Sequence, residues 1–180
     1  MKELKGISGC ITDENIKSSL ETADNNYKII SKFVDEIVSK CCGELDEKLK
    51  EFKAVITDKN RYVTDEELDY MIMELPCLIY FASDMQESIG LNGDLNDRAR
   101  KDLYNRIYVA TIGRVADKEC AAEIGTHREA ITSAIISTAY KKVKNRIDAA
   151  FDLISSMKKV ISRRIATAES SNREDEWWGK

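Results

Sequence analysis

The chain has 180 residues, of which 33% are charged, a single proline at Pro76 and a formal net charge of -4. Such a composition suits long helices with solvated faces rather than a sheet-rich globule, and no apolar run approaches the roughly 20 residues that span a bilayer. The net charge hides a division: residues 1–97 carry 11 Lys+Arg against 21 Asp+Glu, net -10, and residues 98–180 carry 17 against 11, net +6. The two halves are expected to meet different partners, or each other.

From Ile16 the apolar positions Leu20, Ala23, Tyr27, Ile30, Val34, Ile37 and Cys41 alternate steps of four and three, the spacing of a coiled-coil seam. After Gly43 the pattern resumes at Leu45, Leu49, Phe52 and Ile56 with a slip of phase, which predicts a stutter or bend near the glycine and a helix end near Thr57. Thr64 followed by Glu67 is a capping box and starts a second helix. Its seam runs Leu68, Ile72, Leu75, Ile79, Ala82 and Ile89. Pro76 predicts a kink or a split in it, and the Gly90–Gly93 stretch its end.

Asp94 then caps a helix carrying Ala99, Leu103, Ile107 and Ala110 on one face, which stops or bends near Gly113. From about Asp117 the pattern reads as helix for some fifty residues with Gly125 as a weak point, its later seam being Tyr140, Val143, Ile147, Ala150, Ile154, Met157 and Ile161. Residues 169–180 lack a seam and are expected to form a disordered acidic tail ending in Trp177 and Trp178.

The cysteines, Cys10, Cys41, Cys42, Cys77 and Cys120, include no CxxC pair and follow no secretory signal, so they read as reduced thiols in a cytoplasmic protein. With His127 the one histidine, neither a tetrahedral zinc site nor a catalytic His–Cys pair is expected, and no cofactor is called for. No phosphate loop, dinucleotide fingerprint or nucleophile elbow occurs.

Cations gather in two places. Residues 141–164 hold Lys141, Lys142, Lys144, Arg146, Lys158, Lys159, Arg163 and Arg164 against only Asp148 and Asp152, and an upstream cluster of Arg98, Arg100, Lys101 and Arg106 is interleaved with Tyr104 and Tyr108. Cation density of this kind neutralises phosphates, and aromatic rings beside it offer faces on which unpaired bases stack. The competing reading is a solvated helix face that pairs with the acidic N-terminal half, with the tyrosines packed. The tail residues Glu174, Asp175, Glu176, Trp177 and Trp178 suit a docking peptide for a partner or for the protein's own basic groove. Glu44 and Glu47, with Glu66 and Asp69 after a loop, repeat the ExxE and ExxD spacing of all-α nucleoside triphosphate pyrophosphatases, a minor enzymatic alternative that would gather four carboxylates around Mg²⁺.

The run Arg98, Ala99, Arg100, Lys101, Asp102, Leu103, Tyr104 resembles the basic-Ala-Arg-x-Asp-x-Tyr run of the UvsY-type recombination mediators of tailed phages. The layout that follows is also similar: a break at Gly113, then a long helix ending in a basic, apolar-seamed stretch through Met157 and Ile165. The resemblance covers about residues 95–168. Lys101 stands where the family pattern has an apolar residue, and the acidic N-terminal arm has no clear counterpart. The resemblance implies a helical oligomeric ring that binds single-stranded DNA and loads a RecA-like recombinase while displacing a single-strand-binding protein. DNA binding would then fall to Arg98 and Arg100, with Tyr104 in support.

The expectation is thus an all-α protein of long amphipathic helices in a coiled coil or elongated bundle, oligomeric, non-enzymatic, and bound to single-stranded nucleic acid. Its regions would be an acidic coiled-coil helix region at 1–57, a helical core with a basic C-terminal helix at 58–168, and the tail at 169–180. If phage-encoded, it would act in the host cytoplasm. The main alternative is a coiled-coil structural adaptor whose acidic and basic helices bind only protein helices.

Overall fold

The structure is a computed structural model that describes residues 13–178, with side chains described over residues 27–170. The described residues form four helices: α1 (Asp13–Thr57), α2 (Asp65–Ala110), α3 (Val115–Gly125) and α4 (His127–Trp178). Among the described residues there is no strand. At about 1.5 Å per residue, α1, α2 and α4 each run roughly 70–80 Å.

The turn at 58–64 folds α2 back along α1, so that Lys48 reaches Glu74 at 3.3 Å. Arg61 closes that turn by pairing with Glu67. The capping box forms as the sequence predicts: the Glu67 amide donates to the Thr64 hydroxyl at 3.2 Å, and the Thr64 amide donates to the Glu67 carboxylate at 2.9 Å. Two of the amides that every helix N-terminus leaves without carbonyl partners are thereby satisfied.

α4 runs antiparallel to α2. At one end the Asn96 amide donates to Ser133 Oγ at 2.7 Å and to the Glu129 carbonyl at 3.1 Å, and at the other Arg164 donates to the Val63 carbonyl at 2.9 Å. α1 and α4 therefore lie side by side in the same direction, with α2 reversed against both. One hydrophobic core unites the three: Val34, Val38, Cys42, Leu45 and Phe52 from α1, Leu68, Met71, Leu75, Ile79 and Ala82 from α2, and Val143, Ile147, Ala150, Ile154 and Met157 from α4. Burial of each of the larger side chains contributes about 1.5–3 kcal/mol.

The α4 seam is the one the spacing predicts, except that Tyr140 yields its place to Ala139 and packs its ring beside Gly90. On α1 the phase slip comes earlier than expected. The buried line steps from Val34 to Val38 to Cys42, with Ile37 and Cys41 only half-buried, and the helix passes through Gly43 without a break.

α2 departs furthest from expectation. It is one continuous helix through Pro76, Gly90, Gly93 and Asp94, where the sequence predicted a kink and then an end. Pro76 is exposed, and its ring leaves the Ile72 carbonyl without the usual amide donor while the helix continues past it. The glycines are close-packing positions: a Cβ on Gly90 would stand 3.4 Å from the Tyr140 ring, and one on Gly93 3.2 Å from an Ile136 methyl. Tertiary packing against α4 offsets the roughly 1 kcal/mol that a mid-helix glycine costs.

Gly113, at φ +150°, turns the chain between α2 and α3, a conformation suited to a residue without Cβ. The expected fifty-residue helix is divided at Thr126. There the hydroxyl donates to the Ala122 carbonyl at 2.9 Å and the side chain is buried, while Gly125 leaves room for Ile107 of α2. At the far end α4 continues through Trp178, so the backbone is helical where a disordered tail was expected. The side chains of Glu174, Asp175, Glu176, Trp177 and Trp178 lie outside the described residues.

Candidate nucleic-acid interface

The two cation clusters meet different fates. On α4, three of the eight cations expected to contact phosphates are held by the chain's own acids and carbonyls. Lys142 Nζ donates to Asp35 at 2.8 Å, Arg146 Nε donates to Asp46 at 2.7 Å, and Arg164 pairs with Asp65 while its guanidinium lies 4.7 Å from the centre of the Tyr62 ring. Lys142 is the main reason that the Asp35 carboxyl is held below its ordinary value. These three residues fasten α4 to α1 and to the start of α2, as the reading of basic helix against acidic half foresaw. Lys141, Lys144, Lys158, Lys159 and Arg163 are exposed on the outer side of α4, where Asp148 and Asp152 stand among them.

On α2 the cluster divides by face. At about 3.6 residues per turn, Arg100, Lys101, Tyr104 and Tyr108 share one side of the helix, and Arg98 and Arg106 turn away from it. Arg100, Lys101 and Tyr104 line an open concavity together with Asp97 and Asn105. Behind them Tyr104 and Tyr108 stack, with ring centroids 6.3 Å apart and planes 15° from parallel. Lys118 of α3 sits 5.8 Å from the centre of the Tyr108 ring. Among the described residues, no ion pair engages Arg100, Lys101 or Lys118.

Lys118 was not legible in the sequence as a member of this group, because only the fold of α3 against the end of α2 brings it there. Asp97 is partly occupied elsewhere, accepting from Ser133 Oγ at 2.7 Å. The patch therefore presents a half-exposed aromatic pair rimmed by cations from two helices. A tyrosine face beside free cations can stack on a base while the cations meet its phosphates.

Glu44, Glu47, Glu66 and Asp69 are not brought together: among the described residues no group of three or more His, Cys, Asp or Glu side chains is gathered as a metal ion would require. The described helices also include none long and apolar enough to cross a membrane. Compared with known proteins, the chain matches no family model, no curated protein and no solved structure.

Proposed function

We propose that the protein is a non-enzymatic accessory factor that binds single-stranded nucleic acid through the Arg100–Lys101–Tyr104–Tyr108–Lys118 patch. The observation that carries this reading is the sorting of cations. Three on α4 are committed to the bundle, whereas those around the stacked tyrosines have no carboxylate partner among the described residues. Extended single strands present phosphates and unstacked bases together, and a patch with both cations and an aromatic face matches that chemistry better than it matches a closed duplex. The UvsY-like run at residues 98–104 supports the finer reading of a recombination mediator that helps load a RecA-like recombinase. Of its two arginines, Arg100 belongs to this patch.

A second reading, the structural adaptor, is favoured by the pairing of Lys142, Arg146 and Arg164 with acids of α1 and α2, which shows basic and acidic helices of this chain already serving each other. The two readings separate in a competition experiment. A labelled single strand is bound by the protein and challenged with unlabelled single strand or duplex of the same sequence. The nucleic-acid reading predicts that single strand displaces the label at far lower concentration than duplex. An adaptor shows no binding to compete.

A further inference from the structure

α2 is apolar on two sides. Its inner side, Leu68, Met71, Leu75, Ile79 and Ala82, enters the core. Nearly opposite on the helix, Tyr70, Met73, Tyr80, Phe81, Leu91 and Leu95 form an outer stripe whose exposure runs from 53% at Leu95 to 76% at Met73. None of α1, α3 or α4 covers it. Side chains of this size left more than half exposed offer roughly 100 Å² each. Together they offer roughly 600 Å², about three quarters of the ~800 Å² per partner of a standard-size interface, and exceed what single scattered surface apolars require.

The charges at its two ends select the occupant. Glu66 and Asp69 stand on this face near the start of α2, and Arg98 and Arg106 on the same face near its end with Asp102 between them, none of the five in an ion pair among the described residues. We infer that a second copy of the chain docks here with its α2 antiparallel, about a two-fold axis near Asp84. That register sets Met73 over Leu95, Cys77 over Leu91, Asp69 beside Arg98, and Glu66 over Asp102 with Arg98 and Arg106 one turn to either side, so the net acidic end of each copy meets the net basic end of the other. A parallel arrangement would instead align like charges. Being isologous, the contact closes at two copies. It is independent of the nucleic-acid reading, because Arg98 and Arg106 face this stripe while Arg100, Lys101 and Tyr104 face away from it.

The axis leaves one mark of its own. The two Asp84 carboxylates approach each other across it, so removing that repulsion strengthens pairing.

Light scattering on the full chain tests this, with circular dichroism to follow the fold. The wild type is expected at the mass of two chains. Phe81→Asp with Leu91→Asp should give a single chain with its helical signal intact, since both side chains are already in water in the single chain. Asp84→Asn should lower the dissociation constant several-fold, a gain that misfolding cannot imitate. Arg98→Asp should weaken pairing about ten-fold and Asp69→Arg in the same chain should restore it. The inference is overturned by a wild type that stays a single chain at micromolar concentration, by an assembly that the Phe81/Leu91 variant leaves unchanged, by an Asp84→Asn variant that pairs no more tightly, or by charge reversals that fail to compensate.

Discussion

Cys42 is buried in the α1 seam, and that burial, with the Asp46 carboxylate nearby, pushes its thiol up to about 11. Cys41 is raised by burial as well, whereas Cys120 is exposed. Because the thiolate is the reacting species, Cys120 should alkylate readily in the native protein and Cys42 only on unfolding, which peptide mapping after iodoacetamide would show. If Cys42 labels as fast as Cys120 without denaturant, the α1 packing described above is incorrect. Phe52 is the largest fully buried side chain of the core, and Phe52→Ala should cost about 3–5 kcal/mol in urea unfolding through lost burial and the cavity left behind. Gly43 behaves oppositely. A Cβ there meets nothing within 4 Å, so Gly43→Ala should raise stability by about 0.5–1 kcal/mol from helix propensity alone, an effect the same unfolding curves would resolve.

Between elements, acids of α1 and α2 hold basic residues of α4, and pH reads one of those links together with the cap that starts α2. Asp35 is held below its ordinary 3.8 chiefly by Lys142, and Glu67 below 4.5 by the Thr64 amide and Arg61. Carboxyls with lowered folded values contribute stability that is fully present above their unfolded values and is lost as pH falls through the folded ones. The melting temperature should therefore hold from neutral pH to just above 4.5 and drop below it, and Asp35→Asn with Glu67→Gln should flatten that drop. The elements themselves were legible to different degrees. The α4 seam and the Thr64–Glu67 cap could be read directly, since both depend on residues three or four apart in the chain. The continuity of α2 through Gly90 and Gly93 could not, because the residues packed against those glycines are Tyr140 and Ile136, 50 and 43 residues further along the chain. The same limit hid Lys118 from the candidate site and made Lys142, Arg146 and Arg164 resemble free cations. Composition and spacing count charges, and only the fold assigns their partners.

At the scale of the molecule, one chain closes its own seams into a three-helix bundle, and two surfaces on α2 remain to face outward: an aromatic, cation-rimmed patch and an apolar stripe, broken at its centre by Asp84, between ends of opposite net charge. The first carries the functional claim. Single-strand affinity that rests on neutralised phosphates falls with salt, with a slope of about -0.7 per phosphate contact in a log–log plot, and removing two cations should flatten that slope by about 1–1.5 while weakening binding to every sequence alike. Fluorescence anisotropy of a labelled single strand, titrated with wild type and with Arg100→Ala/Lys101→Ala across a range of salt, tests this most directly. The account predicts salt-sensitive binding by the wild type and a weaker, flatter response from the variant. Equal affinity and equal slope for the two proteins, or no binding by the wild type even at low salt, would contradict it.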